Sequence, residues 1–447
     1  MTDQEHAGRR AEQLAEQTLQ LAQALVRAHT VNRHSGDARP GNEANGQAVL
    51  EPLLRDLGAR IDRFDCPPDI YQRMGILGPD NRDFTDRPNL VADLTFGAGG
   101  PTIILQGHMD TVGVDDMTPD DPLSGELRDG RLWGRGSSDM KGGLAAAMTA
   151  LQVLHELRGV LRGRLIFASV VEEESNGSGA GALAFIERAR AGCLLGGAFQ
   201  PRQTPDGQVL LADAAICLDG SGPQVTRGYG GVLTVDIEVM GRSGHAAGSD
   251  SVSAIEKALI VKQGIDRYTA ERAAEGPGRQ VNLGVFRGGV HPAVVPGRAI
   301  MSLNMSYPFR DAVAAEGAGR GFGNAPGRNR FETLLRDACR DDPWLLAHAP
   351  QVRWIKDLIP FELPESHALV QALAAVHRQS LGGEPAIDVN PAWSDACYLP
   401  RFGGTPAVCY GAGTAGQAHS ASESAETWRI VACSQVLAAF LAQRLRA

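Results

Sequence analysis

Four apolar stretches of this chain each run into acids or a histidine, and no other feature limits the fold as much. "TIILQG" at 102–107 delivers His108 and Asp110, and "LIFASVV" at 165–171 delivers Glu172, Glu173 and Glu174. "AAICL" at 214–218 delivers Asp219, and "PAVCYG" at 406–411 is followed shortly by His419. Uninterrupted apolar strands are buried on both faces, which requires helices on each side of their sheet. Helical patterns lie between them, in "MKGGLAAAMTALQVLHEL", around 180–190, and in the closing "ETWRIVACSQVLAAFLAQRL". A further surface helix is expected over 8–29, with Leu14, Leu21 and Leu25 on its packed face, and "NLVADLTF" alternates like a strand. The fold class is α/β. In open α/β sheets the ligand crevice lies outside the carboxyl ends of the strands, so separate segments carry their polar groups to one place.

The middle of the chain follows another rule. "GGVLTVDIEVMG" alternates strictly from Leu233 to Val239, as a one-sided antiparallel strand does. The helix "SVSAIEKALIVKQGIDRY" follows, and then two more strands, "QVNLGVF" and "AIMSLNMSY". A chain of 447 residues exceeds one ordinary core. The expected organisation is a catalytic domain from 1–223 and 359–447, with a smaller α+β domain inserted at 224–358. Within the insert, "EGAGRGFGNAPGRNR" at 316–330 reads as a mobile loop.

Composition excludes several function classes. A net charge of −9 argues against a nucleic-acid binder, which needs clustered Lys and Arg. No apolar run approaches the roughly 18 residues of a membrane span. The amino-terminal segment is charged and lacks an apolar core, so no signal peptide is expected. Seven cysteines at irregular spacing, with no C-x-x-C pair, fit reduced thiols and the cytoplasm.

The strand-end groups need a counter-charge, because charged residues are rarely buried without one. None of these motifs carries a cluster of Lys or Arg, so cations are the economical answer. Two imidazoles and three carboxylates make a mixed N/O ligand set suited to zinc, with cobalt or manganese as alternatives. Such a set holds two divalent ions if one carboxylate bridges them. Its three negative charges against four positive ones leave room for one hydroxide, the nucleophile of a two-metal hydrolase.

The segments "GHMDTV", "GRGSSDMKGG", "EEESNGSGA" and "GAGTAGQAHSASE" resemble, in order, the motifs of a known family. It is the dinuclear-zinc amidohydrolase and metallopeptidase family of aminoacylase, acetylornithine deacetylase, succinyl-diaminopimelate desuccinylase and carboxypeptidase G. The resemblance implies a zinc-exopeptidase-like mixed sheet flanked by helices, with the insert as lid and dimerisation domain. It places His108 and Asp219 on one metal, Glu174 and His419 on the other, and Asp139 between them as the bridge. Asp110 would accept a hydrogen bond from the second ring nitrogen of His108, fixing its tautomer. Glu173 would be the general base, passing a proton from the attacking water to the leaving amine. The resemblance also implies a cis peptide bond at Asp139–Met140. In "GRSGHAAGSDSVSAI", His245 would reach across a homodimer interface and help stabilise the oxyanion. Asn282 in "VNLGVFRGG" matches a substrate-contacting position.

One departure concerns the substrate. Where the family often has a carboxylate-gripping arginine at the end of the lid strand, this chain has Ser306. Arg310 stands displaced beyond it as the substrate-binding candidate, and arginines at 317–330 could compensate. Asp395 in "WSDACYL" lies at a family-like position near the pocket, with a structural and a functional role both open. The reading is a two-metal hydrolase cleaving the amide bond of a small N-acyl amino acid or related compound. A dipeptidase or carboxypeptidase on the same scaffold is the near alternative, and a catalytically silent metal-binding relative the distant one.

Overall fold

The computed structural model describes residues 2–79, 82–118, 121–175, 178–314 and 322–446. At its centre is a nine-stranded mixed sheet. The parallel strands Gly163–Val170, Thr102–His108, Ala214–Cys217 and Ala407–Cys409 lie side by side within it. Arg60–Phe64 and Asn89–Gly97 extend one flank in antiparallel fashion. Val225–Tyr229, Phe361–Glu362 and Ile387–Asn390 complete the other.

The continuous apolar runs divide between two cores. Ile103 and Leu105 pack into the larger one with helices Ala15–Arg27, Gly142–Glu156 and Thr427–Arg444. Ile104 and Ile166 point to the other face, under helices Ala180–Arg190 and Tyr398–Gly403. Full burial of such a side chain contributes roughly 1.5–3 kcal/mol, and both faces collect it. "NLVADLTF" behaves the same way, since the first six residues of its strand are all buried despite their alternation.

A second, four-stranded antiparallel sheet has the order Val281–Gly288, Arg298–Tyr307, Gly231–Met240, Gln351–Leu358. Leu233, Val235, Ile237 and Val239 alternate into its own core, beneath helices Ala254–Ala274 and Ala325–Cys339. The other face is polar. There Asp236 accepts from Ser302 Oγ at 2.7 Å and from Arg353 Nη2 at 2.8 Å. This sheet starts at Gly231, whereas Val225–Tyr229 still belongs to the large one.

Three details differ from the expectations. The helix over 8–29 is two helices, Asp3–Gln13 and Ala15–Arg27, separated at the buried Leu14. The supposed loop at 316–330 includes the start of the Ala325–Cys339 helix. Asn324 caps that helix by accepting from Gly327 N at 2.8 Å, and Pro326 sits in its first turn, where proline's missing N–H costs nothing. Arg320 lies outside the described residues, while Arg328 pairs with Asp357 at 3.2 Å and Arg330 pairs with Glu271. Gln351–Leu358 is a strand that the sequence pattern did not announce. Among the described residues no helix is long and apolar enough to cross a membrane.

Candidate metal centre

The carboxyl ends of the four parallel strands open into one cavity of about 260 Å³. Its lining includes Asp139, Glu173, Glu174, Asp219 and His419. His108, at the tip of its strand, reaches Asp139 with Nε2 3.1 Å from Oδ1. His419 Nε2 stands 2.9 Å from Glu174 Oε1 and 3.6 Å from Asp139 Oδ2. The two oxygens of Asp139 thus face two different imidazoles. Ligand atoms of His108, Asp139 and Glu174 all lie within 4.8 Å of one another, as a shared cation requires. The Asp139–Met140 peptide bond is cis. Glu172 and His419 hold φ values of 66° and 60°, left-handed conformations rare outside glycine and a local strain beside the cavity.

The electrostatics identify what the cluster lacks. Burial pushes Glu173 well above the ordinary carboxyl range, and Glu174, Asp395 and Asp219 push it further. Burial and the charge of Asp139 raise Glu174 to about 7 and Asp219 to about 6. The hydrogen bond to Glu174 lifts His419 to about 9. Burial works against a charged His108, yet Asp139 and the neighbouring carboxylates raise it well above its usual value. Among the described residues no Lys or Arg lines the cavity. His419 is the one basic side chain in that described lining, with His108 against Asp139, too few for the acids present. Hard oxygen donors with two imidazoles, short of positive charge, fit divalent cations.

The chain was compared with known proteins. The pattern described as "Peptidase family M20/M25/M40" matches residues 104–443, most of the chain. This chain belongs to that family. The M20 chain is 28% identical to an N-formyl-4-amino-5-aminomethyl-2-methylpyrimidine deformylase of Halalkalibacterium halodurans, over 95% of this chain and 94% of that one. It is 26% identical to a succinyl-diaminopimelate desuccinylase of Methylobacterium radiotolerans, over 85% and 86%. Human carnosine dipeptidase 1 shares the fold, with a TM-score of 0.69 and 16% identity over 99% of each chain. The protein is a metal-dependent hydrolase of amide bonds.

Within this M20 fold Asp110 does something other than expected. His108 Nδ1 lies 2.9 Å from the backbone carbonyl oxygen of Asp110 and 3.8 Å from its carboxylate. The carboxylate instead accepts from Glu174 N at 2.8 Å, Glu173 N at 3.2 Å and Asn32 Nδ2 at 2.7 Å. Short loops and backbone N–H groups outcompete the imidazole for it. Asp110 thereby ties the glutamate segment to the histidine strand.

His245, Asn282 and Arg310 do not line the cavity. His245 is exposed in the two-residue strand Gly244–His245, its Nδ1 accepting from Ala247 N at 3.1 Å. Asn282 is exposed on the outermost strand of the small sheet, opposite Asn304. Arg310 is exposed at the far end of Arg298–Tyr307, beside Gly276. Asp395 is buried close by, with Oδ1 accepting from Gln106 Nε2 at 2.9 Å.

Sequence reasoning missed Glu423 as a buried clamp. Its Oε1 accepts from the backbone N–H groups of Gly136 and Ser138 at 3.0 Å and Asp139 at 3.1 Å. Its Oε2 accepts from Arg135 Nη1 at 2.8 Å, and Arg135 also donates to Gly113 O and Ser420 O. The motif "HSASE" carried the acid in view, but nothing local says that it folds back onto the Asp139 turn. Lys356, Tyr229 and Trp393 were missed as well. Lys356 Nζ reaches down from the polar face of the small sheet to Ser175 O at 3.3 Å.

Proposed function

We propose that this M20 hydrolase deacylates a small N-acylated amine, within the class of N-acyl amino acids and related compounds, using two divalent ions, zinc foremost. One observation carries the reading: the two oxygens of Asp139 face His108 and His419 in a cavity rich in carboxylates whose described lining holds no Lys or Arg. His108 and Asp219 would hold one ion, Glu174 and His419 the other, and Asp139 both. Bound there, such ions polarise the acyl carbonyl and bring water's pKa down to about neutral. Glu173, raised by its burial, takes the proton of the attacking water and hands it to the departing amine. Asp110 positions Glu173 and Glu174 through their backbone N–H groups. The deformylase and desuccinylase among the relatives both have names that describe removal of an acyl group, which supports deacylation over peptide cleavage.

The lid role of 224–358 and a homodimer through it belong to the same proposal. Among the described residues no strand covers the outer edge of Val281–Gly288, whose Val285 and Phe286 are exposed. An uncovered edge with apolar side chains is the kind of surface a second copy covers. In such a dimer His245 from the neighbouring copy serves the oxyanion, and Asn282 contacts substrate. The cytoplasm is the proposed compartment, in keeping with seven free cysteines.

The test is hydrolysis after chelation and after adding back zinc, cobalt or manganese. Metal-restored turnover of N-acyl compounds above free dipeptides is the expected result. Preference for unblocked dipeptides would make the protein a dipeptidase, and no metal-dependent turnover of any amide would make it a silent relative.

A further inference from the structure

Beside its acids, the cavity has a second kind of lining. Tyr229 and Trp393 border it, with Asn390 and Ser221. Tyr229 ends the strand Val225–Tyr229, is 2% exposed, and stacks on Phe361 with ring centroids 6.2 Å apart. Its hydroxyl is buried without a hydrogen-bond partner. The oxygen lies 2.9 Å from where a Cβ on Gly220 would stand, so it sits against the turn that follows Asp219. Leaving such a group unpaired costs roughly 1–3 kcal/mol, a cost that an acceptor on a ligand removes. Burial and the charge of Asp219 hold the phenol well above its usual range, so it remains a donor. Trp393 is half-buried, its indole N–H already donating to Ile359 O at 3.2 Å and its ring set edge-on to Tyr398. What it offers the cavity is the apolar ring.

Among the described residues the cations near the cavity have partners of their own. Arg87 and Arg82 serve Glu172, Arg135 serves Glu423, and Lys356 donates to Ser175 O under the charges of Glu173 and Glu172. At the end of the lid strand, Ser306 bonds Gln280 and Gly278 rather than anything in the cavity. Among the described residues lining the cavity, a substrate carboxylate entering here would meet acids and no guanidinium. A cavity of about 260 Å³ holds one ring and a small acyl group.

We infer that the amine half of the substrate is a planar ring bearing a hydrogen-bond acceptor and no carboxylate, with Tyr229 donating to the acceptor and Trp393 packing on the ring. This rests on the deacylase reading and narrows it.

The test uses the metal-loaded full chain and four N-formyl amides. These are the N-formyl derivatives of (aminomethyl)pyridine (the 3- and 4-isomers), benzylamine and phenylalanine. The better of the two pyridine compounds should exceed the benzylamine compound in kcat/KM by about tenfold, the value of one net hydrogen bond, mostly through KM. Both should exceed N-formylphenylalanine. In Tyr229→Phe the pyridine-to-benzylamine ratio should fall toward one, whereas a merely structural lesion would lower both and keep the ratio. Calorimetric binding of the free product amines should show the same preference and the same loss in Tyr229→Phe. A better N-formylphenylalanine, or a ratio untouched by Tyr229→Phe, overturns the inference while the deacylase reading stands. If no amide turns over, that reading fails, and product binding still decides the subsite.

Discussion

Glu172 and its two successors, consecutive in sequence, belong to two charge clusters solved in opposite ways. Glu172 turns inward and is fully buried, but it brings its own counter-charges. Arg87 Nη2 lies 2.7 Å from it and Arg82 3.7 Å, with Asn32 donating at 3.1 Å. Arg87 also donates through Nε to the buried Glu43 at 2.9 Å. Despite its burial, Glu172 is held down at about 2 by His34, Arg87 and Arg82. Glu173 and Glu174 turn into the cavity, whose described lining holds no guanidinium, and both are raised. A buried acid with a paired arginine is scaffold, and buried acids without one are a site that needs ions. The difference between neighbours in one tripeptide is which counter-charge the fold supplies.

If the cavity acids do chemistry and the inner ones only hold shape, Glu173 gives the largest effect. Glu173→Ala should lower kcat by roughly 10²–10⁴-fold while retaining metal, as measured by steady-state rates beside metal analysis. Substantial residual kcat would remove Glu173 from the base's role. Arg87→Met attacks the inner cluster and should cost about 3–5 kcal/mol in urea unfolding, since it strands the buried Glu43 and takes the nearest cation from Glu172. Added zinc should not recover that loss; recovery would mean that the two clusters are not separate. Glu423→Ala lies between them in kind. It releases three backbone N–H groups around Asp139 and should weaken metal binding by about 10–100-fold in a competitive chelator titration.

The strand tips could be read in advance because burial on both faces forces an apolar residue at every position until the strand ends. Ile103 and Ile104, adjacent in sequence, serve opposite cores. Groups brought in from afar could not be read that way. Tyr229 and Trp393 meet the acids only through the packing of the outer strands. Gln351–Leu358 hid because a bulge opposite Thr234 and Val235 breaks its alternation. Trp354 pairs with Val235 on the core side, and Lys356 then pairs with Thr234 on the polar side, the reverse of a simple period of two. The Ala325–Cys339 helix hid behind a proline and a glycine that mark a loop as readily as a first turn.

The smallest effect is the most discriminating, because its sign should differ between the clusters. Asp219 and Glu174, raised from 3.8 and 4.5 to about 6 and about 7, bind protons more tightly folded than unfolded. Their contribution is full below the unfolded values and is lost as pH rises through the folded ones. His419, raised to about 9, acts in the same direction at higher pH. Glu172, lowered to about 2, does the reverse, contributing above 4.5 and losing that contribution as pH falls toward 2. Metal-free protein should therefore lose stability as pH rises from about 4.5 to 9, and saturating zinc should flatten that decline. Asp219→Asn should make the metal-free decline shallower and, at pH 8, leave stability unchanged or raise it by up to ~1 kcal/mol, since it removes a charge that burial and Asp139 disfavour more than its partners favour it. If Asp219→Asn instead destabilised the metal-free protein as strongly as Arg87→Met does, the cavity acids would be balanced from within, and the need for cations would disappear with the contrast.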